Sequence, residues 1–351
     1  MNPNHSTSTG GKTILVTGAG GFIGRALCSE LSRRGYRVRG AMRTHGQLSV
    51  AGETVTVGAI DASTKWGDAL RNVDTVIHLA ARVHVMKDKA ADPLTEYLKV
   101  NLYGTSNLAR QAADAGVKRM VYVSTIKVNG ETTLPVSALS PGTLSPSPSP
   151  SPSGGEGKVA FSETDEPDPQ DPYAISKMQS EQVLHKIAGE TGLEAVIVRP
   201  PLVYGPGVKG NFLRLLDAID KGMPLPLAGA NNLRSMVYVG NLVDALIACA
   251  THPAAAGQTY LVSDGEDIST VKLVETICRS LGRNNRMFYL PPGLMHAAAK
   301  LLGRADQIER LFGSLRVNDQ KLRREQGWKP PYTMEQGMRA TVDWYRGRNQ
   351  P

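Results

Sequence analysis

The sequence predicts an α/β protein, a doubly wound parallel sheet carrying a smaller, mainly helical C-terminal lobe. Two observations predict it. Short β-rich runs alternate with helical patterns between residues 13 and 125, and such alternation folds as right-handed βαβ units with helices on both faces of one sheet. The first run is followed at once by glycines at 18, 21 and 24, the tight turn with which such a sheet starts its first helix.

In chain order the runs are TILVTGA from Thr13, a helix from about Phe22, RVRGAMR from Arg37, TVTVGAID ending at Asp61 and TVIHLAA ending at Ala81. A long helix over 92–115, RMVYVST ending at Thr125, a helix over 172–190 and EAVIVRP over 194–200 follow. Beyond this the rhythm loosens into short strands and helices, and after Leu290 the pattern is mainly helical up to Trp344. The division expected is a disordered tail over 1–11, a nucleotide-binding domain over 12–204 that carries the catalytic motif, and a substrate-binding lobe over 205–351, partly interleaved with the sheet. Residues 134–158, LPVSALSPGTLSPSPSPSPSGGEGK, offer few backbone donors and little apolar surface, so they cannot join the core. They are expected to form an extended, mobile insertion, passive rather than a lid.

With 351 residues, 41% of them hydrophobic, the chain can bury a large core. It lacks an apolar run of about 18 residues, and its opening MNPNHSTSTGGK lacks the basic start and apolar stretch of a signal peptide. A soluble protein without a membrane span is expected. Cys28, Cys249 and Cys278 stand singly with no CxxC, which points to a reduced compartment, the cytoplasm, and to no structural metal. His78 and His84 lack a third ligand at useful spacing and are read as a packed strand histidine and a loop histidine. The net charge of +8 is spread along the chain and aromatics make up 5%, which suits an anionic small ligand and not a nucleic acid.

In TILVTGAGGFIGRAL, Gly18 suits the turn, Gly21 lets a pyrophosphate approach the backbone, and Gly24 lets helix and strand pack closely. Strand before and amphipathic helix after make this a Rossmann dinucleotide site. The second strand ends in Met42 and Arg43, where NAD binders usually carry an acid for the ribose hydroxyls. Arg43 would pair with a 2′-phosphate, so NADP(H) is the preferred cofactor, with NAD(H) the alternative. Asp61 falls where a carboxylate can accept from the adenine amino group or cap a helix; both readings stand.

In DPYAISKMQSEQ, residues 171–182, Tyr173 and Lys177 are four apart at the start of a helix, the spacing that stacks two side chains on one face. A free phenol has a pKa of about 10, and a cation held nearby lowers it. A tyrosine so tuned exchanges a proton with a sugar or alcohol oxygen while hydride moves to or from nicotinamide.

TGAGGFIG (17–24), HLAA (78–81), VNLYGTSNLA (100–109), VYVSTIKVNG (121–130), YAISK (173–177), VRPPLVYGPG (198–207) and RSMVYVGNLVDA (234–245) together resemble the extended short-chain dehydrogenase/reductase family, in its nucleotide-sugar epimerase, dehydratase and reductase branch. The resemblance runs from Lys12 to the C-terminus. It implies that Thr125 holds the reacting oxygen, Tyr173 is the acid/base and Lys177 binds the nicotinamide ribose. It implies cofactor contacts from Gly18, Gly21, Phe22, Ile23, Gly24, Leu79, Ala80, Ala81, Ser124, Pro200 and Val203. It places Lys127, Asn211 and Arg234 at the substrate, with Arg310 a candidate second arginine for the diphosphate. It also implies a homodimer through the helices at 92–115 and 172–190.

Dehydratases of the branch follow their threonine with Asp-Glu, whereas this chain has Ile126 and Lys127, so the acid/base pair for dehydration is missing. What remains is oxidation or reduction at one carbinol, C4 of a UDP-hexose. Arg43 and STIKVNGE favour a reductase of UDP-4-keto-6-deoxy-N-acetylhexosamine in surface polysaccharide (O-antigen type) biosynthesis. A 4-epimerase of UDP-glucose or UDP-N-acetylglucosamine is the alternative. A catalytically silent NADP-binding regulator is the second alternative, against which the presence of both Tyr173 and Lys177 argues.

Overall fold

The computed structural model describes residues 11–44, 46, 52–83, 92–134, 158–291, 294 and 312–348. The expected tail, apart from Gly11, most of the 134–158 insertion, His84 and Arg310 lie outside the described residues. Strands β1 (Thr13–Thr17), β2 (Arg37–Met42), β3 (Glu53–Thr56), β4 (Thr75–His78), β5 (Arg119–Val123), β6 (Glu194–Arg199) and β9 (Thr259–Leu261) form a seven-stranded sheet in the order β3-β2-β1-β4-β5-β6-β9. Every adjacent pair is parallel. The central strands β1, β4 and β5 are buried along their whole length, which is why their sequences read as continuous apolar runs and not as alternations.

Helices cover both faces. On one, α1 (Phe22–Arg33) and α7 (Val239–Thr251) set Leu27, Leu31, Leu242 and Leu246 against Ile77, Val121 and Val196. On the other, α4 (Gly104–Asp114) and α5 (Pro172–Thr191) set Leu108, Ala112, Leu184 and Ile187 against Tyr122 and Ala195. Each fully buried leucine here contributes on the order of 2 kcal/mol. The short helix α2 (Gly67–Leu70) closes the second layer with Leu70.

The expected helix over 92–115 is interrupted. It consists of α3 (Pro93–Tyr97), a π-helical stretch over Leu98–Tyr103, and α4. The widened turn holds Asn101 inward, where its Nδ2 donates to Ser176 Oγ at 2.9 Å and to the Arg82 carbonyl at 3.0 Å. A π-bulge leaves the apolar pattern almost intact, so the sequence reads as one helix.

The lobe is built from α6 (Gly210–Asp220), α8 (Thr270–Leu281), α9 (Gln320–Gln326) and α10 (Met334–Arg348). It also holds a three-stranded sheet in the order β10-β8-β7, formed by β7 (Leu202–Tyr204), β8 (Arg234–Tyr238) and β10 (Asp267–Ile268), which the mainly helical expectation did not include. Phe212, Leu216, Met236, Ile277 and Met338 form its core. The chain returns from this lobe to the main sheet through α7 and β9, so the two parts interleave. Leu134 N–H donates to the Lys158 carbonyl at 2.8 Å, and Thr133 N–H to the Ser314 carbonyl at 2.8 Å. The insertion therefore leaves and re-enters the fold at one point. Among the described residues no helix is long and apolar enough to cross a membrane.

Candidate active site

The strand order reverses between β1 and β4, and the crevice at their carboxyl ends is where such sheets take ligands. Gly18 follows β1 with φ of +67°, and a Cβ there would lie 3.0 Å from Ala80 N. A Cβ on Gly24 would lie 2.2 Å from the Gly18 carbonyl oxygen, and one on Gly21 3.1 Å from the same atom. No side chain fits at these three positions without moving backbone. Gly21 caps α1 without a side-chain hydrogen bond, which leaves the first-turn N–H groups of Phe22 and Ile23 for an anion. Thr17 Oγ1 accepts from Leu79 and Ala80 N–H at 3.2 and 3.1 Å, locking the Leu79–Ala81 turn beside the glycine turn. A Cβ on Gly207 would meet the Phe22 ring at 3.3 Å, bringing the segment after β7 over the start of α1. The glycine cradle and the open helix end fit the pyrophosphate of a dinucleotide.

Arg43 follows β2 and is exposed, and Met42 Sδ lies 3.4 Å from where a Gly20 Cβ would stand. The tip of β2 thus adjoins the glycine turn. Asp61 Oδ1 accepts from Ser63 N–H and Oγ at 2.8 and 2.7 Å, and these bonds hold its carboxyl below the usual range. Asp61 thus closes a turn at Ser63, and no helix begins there for it to cap.

At the end of β5, Ser124 Oγ donates to the Glu181 carboxylate. Thr125 opens a short 3₁₀ turn over Ile126–Val128, its Oγ1 accepting from Lys127 N–H at 3.3 Å. Ile126 N–H donates to the Pro200 carbonyl at 3.0 Å, so the ends of β5 and β6 are tied together there, and Val203 follows on β7. Helix α5 starts beside this turn because Asp171 caps it, accepting from Ala174 N–H at 2.8 Å, with Pro172 in the first turn. Tyr173 and Lys177 therefore rise from the first turns of α5 toward the ends of β4 and β5.

Lys177 is buried. Its ammonium donates to the Val123 carbonyl at 2.7 Å and stands 4.0 Å from the centre of the Tyr122 ring. Burial pushes it down to about 7, against the opposing charge of Glu181. Burial pushes the Tyr173 phenol up, helped by the negative charge of Asp171 and by Tyr97. The expected lowering of Tyr173 by Lys177 is not present in this arrangement, because the ammonium is turned to the β5 carbonyl. Tyr97 meets Tyr173 edge-on at 6.0 Å, with the Arg82 guanidinium 5.4 Å above the Tyr97 ring.

His78 is a packed strand histidine, bonded through Nδ1 to Thr17 Oγ1 at 2.6 Å and through Nε2 to Thr105 Oγ1 at 3.0 Å. Burial, with Lys177 nearby, pushes it down to about 3, so it stays neutral. Among the described residues no three side chains are grouped to hold a metal. Asn211 is exposed in the first turn of α6, and Arg234 begins β8 with Nη1 donating to the Gly313 carbonyl at 3.1 Å. Lys127, expected at the substrate, directs its ammonium to Glu131 and Asp171, each at 2.7 Å.

Sequence reasoning missed a buried polar chain behind the site. Glu181 accepts from Ser124 Oγ and from Arg199 Nε at 3.0 Å, and Arg199 Nη1 donates to Asn129 Oδ1 at 3.0 Å. Asn129 Nδ2 passes the chain on to the Ser162 carbonyl at 2.7 Å. Two signals existed: Glu181 lies four residues beyond Lys177 on the same helical face, and Arg199 is a charge inside the apolar run EAVIVRP. A buried charge in a central strand requires a partner.

The family model described as "NAD dependent epimerase/dehydratase family" matches residues 14–263. The chain is 40% identical over 340 residues to a UDP-glucose 4-epimerase of Vibrio cholerae, covering 96% of this chain and 97% of that one. Among solved structures, a UDP-glucose 4-epimerase of Thermus thermophilus in complex with NAD is 25% identical, with a TM-score of 0.72 over 95% of this chain and 99% of that one. MoeE5, in complex with UDP-glucuronic acid and NAD, is 25% identical with a TM-score of 0.72, over 96% and 99% of the two chains. The glycine cradle, the Tyr173–Lys177 helix and these likenesses agree: the chain belongs to the NAD dependent epimerase/dehydratase family and is an enzyme of the extended short-chain dehydrogenase/reductase kind.

Proposed function

We propose that the protein is a UDP-hexose 4-epimerase, inverting the hydroxyl at C4 of a UDP-linked hexose such as UDP-glucose or UDP-N-acetylglucosamine. The observation that carries this reading is the 40% identity to the Vibrio cholerae UDP-glucose 4-epimerase along nearly the whole of both chains, combined with Tyr173 and Lys177 in the first turns of α5. The glycine turn and the open N-terminus of α1 would hold NAD in the crevice, and the bound nicotinamide would supply reversible hydride chemistry at C4. Tyr173 as the phenolate takes the proton of the C4 hydroxyl and, as the phenol so formed, gives it back. Thr125, on the turn after β5, holds that oxygen by its hydroxyl. Lys177, already held at about 7 by burial, has a proton to share with a ribose hydroxyl. The wall of Tyr97, Tyr122 and Val123 keeps water away from this exchange. Arg234 and Asn211 are proposed diphosphate contacts, the former by bidentate pairing.

One observation favours a second reading, reduction of a UDP-4-keto-6-deoxy-N-acetylhexosamine by NADPH. Arg43 stands exposed at the tip of β2 beside the glycine turn, where it would meet a 2′-phosphate. The two readings are separated by incubating the protein with UDP-glucose or UDP-N-acetylglucosamine plus NAD, and with the keto sugar plus NADPH. Appearance of the C4 epimer without net cofactor change supports the epimerase; stoichiometric loss of NADPH supports the reductase.

A further inference from the structure

The Lys127 ammonium lies 2.7 Å from Glu131 Oε1 and 2.7 Å from Asp171 Oδ2. The other oxygen of the same Asp171 carboxylate accepts from Ala174 N–H at 2.8 Å and caps α5. One carboxylate therefore joins the turn after Thr125 to the helix that presents Tyr173, two residues further on. All three side chains are at most about a quarter exposed, at 23%, 21% and 16% for Lys127, Glu131 and Asp171, so the contacts are more than surface ion pairs. An alternative cap such as asparagine would hold the helix as well, so capping alone does not account for the charge.

We propose that Lys127 is a positioning residue for Tyr173: by clasping Asp171 and Glu131 it fixes the first turn of α5 against the Thr125 turn and offsets the negative charge beside the phenol. This rests on the reading of Tyr173 as the proton-transfer group. The charged and titratable groups around Tyr173 come from four places, the first being β5, whose buried Tyr122 lies within electrostatic reach of Tyr173. On α5 these are Asp171 and Lys177, with Lys177 turned to Val123. On α3 there is Tyr97, with Arg82 beyond its ring. From the turn after β5 come Lys127 and Glu131. Asp171 is the charge that raises the phenol most, and Lys127 is the cation seated on it. The lysine that stands where dehydratases of this branch carry a carboxylate thus serves proton transfer through Asp171.

The test compares wild type, Lys127→Met, Asp171→Asn, the double variant and Lys127→Arg, each saturated with NAD. The ultraviolet titration of Tyr173 is read as the difference from the same protein carrying Tyr173→Phe, alongside the pH profile of C4 epimerisation. Lys127→Met is expected to move the Tyr173 titration upward by roughly half to one pH unit, the size of one charge lost at such range in a partly wet site. Asp171→Asn is expected to move it downward, the double variant to return close to wild type, and Lys127→Arg to keep the wild-type value. An unmoved titration in Lys127→Met, or shifts of the same sign in both single variants, would overturn the proposal. The titration needs no sugar substrate, so failure to epimerise UDP-hexoses with these shifts intact would count against the proposed reaction and not against the role of Lys127.

Discussion

The Lys177 ammonium donates to the backbone carbonyl of Val123 at 2.7 Å, which anchors the start of α5 to the end of β5. The anchor keeps Lys177 buried, and burial, partly countered by Glu181, loosens its proton to about 7 against an ordinary 10.5.

Between these two values the unfolded chain carries a proton on Lys177 that the folded chain has lost, so folding becomes more favourable as pH rises. Melting temperature measured from pH 7 to 10 should therefore rise in wild type relative to Lys177→Met, with little difference in slope below pH 7. Parallel curves across that window would show that Lys177 keeps its proton in the folded state.

His78 gives the complementary case on the acid side. Held neutral down to about 3 against an ordinary 6.5, it refuses a proton that the unfolded chain accepts. Stability is expected to fall by about 1.4 kcal/mol per pH unit below 6.5 from this group alone. A His78→Asn variant should lose that component of acid sensitivity between pH 6.5 and 4, as read by denaturant unfolding.

The Glu181–Arg199 pair is buried on both sides, at 5% and 8% side-chain exposure. Removing one partner strands the other charge, so Glu181→Gln is expected to cost about 3–5 kcal/mol, whereas replacing both by Glu181→Leu with Arg199→Met costs much less. Urea midpoints for the three proteins check this; equal loss in single and double variants would contradict it.

The insertion supplies a prediction of the opposite kind. Because Leu134 and Lys158 are hydrogen-bonded at 2.8 Å, deleting 137–156 leaves the stem able to close, and kinetics and melting temperature should stay within error of wild type.

What the sequence showed and what it hid divide along physical lines. Gly18, Gly21 and Gly24 were legible because each answers a local constraint, Gly18 through its positive φ and the other two through the Gly18 carbonyl. The alternation of apolar runs was legible because the central strands are buried on both faces. The π-helical turn at Asn101 was hidden because it changes hydrogen bonding without changing the apolar pattern. Of the two partners of Lys127, Asp171 was hidden because it is 44 residues away in the chain, and nothing local marks that pairing. Short strands were legible beyond residue 200, but their pairing into a small sheet was hidden because β7 and β10 are only 3 and 2 residues long, too short for a period to register.

Epimerisation at C4 through Tyr173 is read by following UDP-glucose and UDP-N-acetylglucosamine by proton NMR with purified wild type and Tyr173→Phe, in NAD. Wild type is expected to bring each active sugar to a mixture of its two C4 epimers with no net change in nicotinamide absorbance, and Tyr173→Phe to be at least about a hundred-fold slower, within the range of lost general acid/base catalysis. Inert UDP-hexoses, together with stoichiometric NADPH consumption by a UDP-4-keto-6-deoxy-N-acetylhexosamine, would contradict the account and place the enzyme among the reductases.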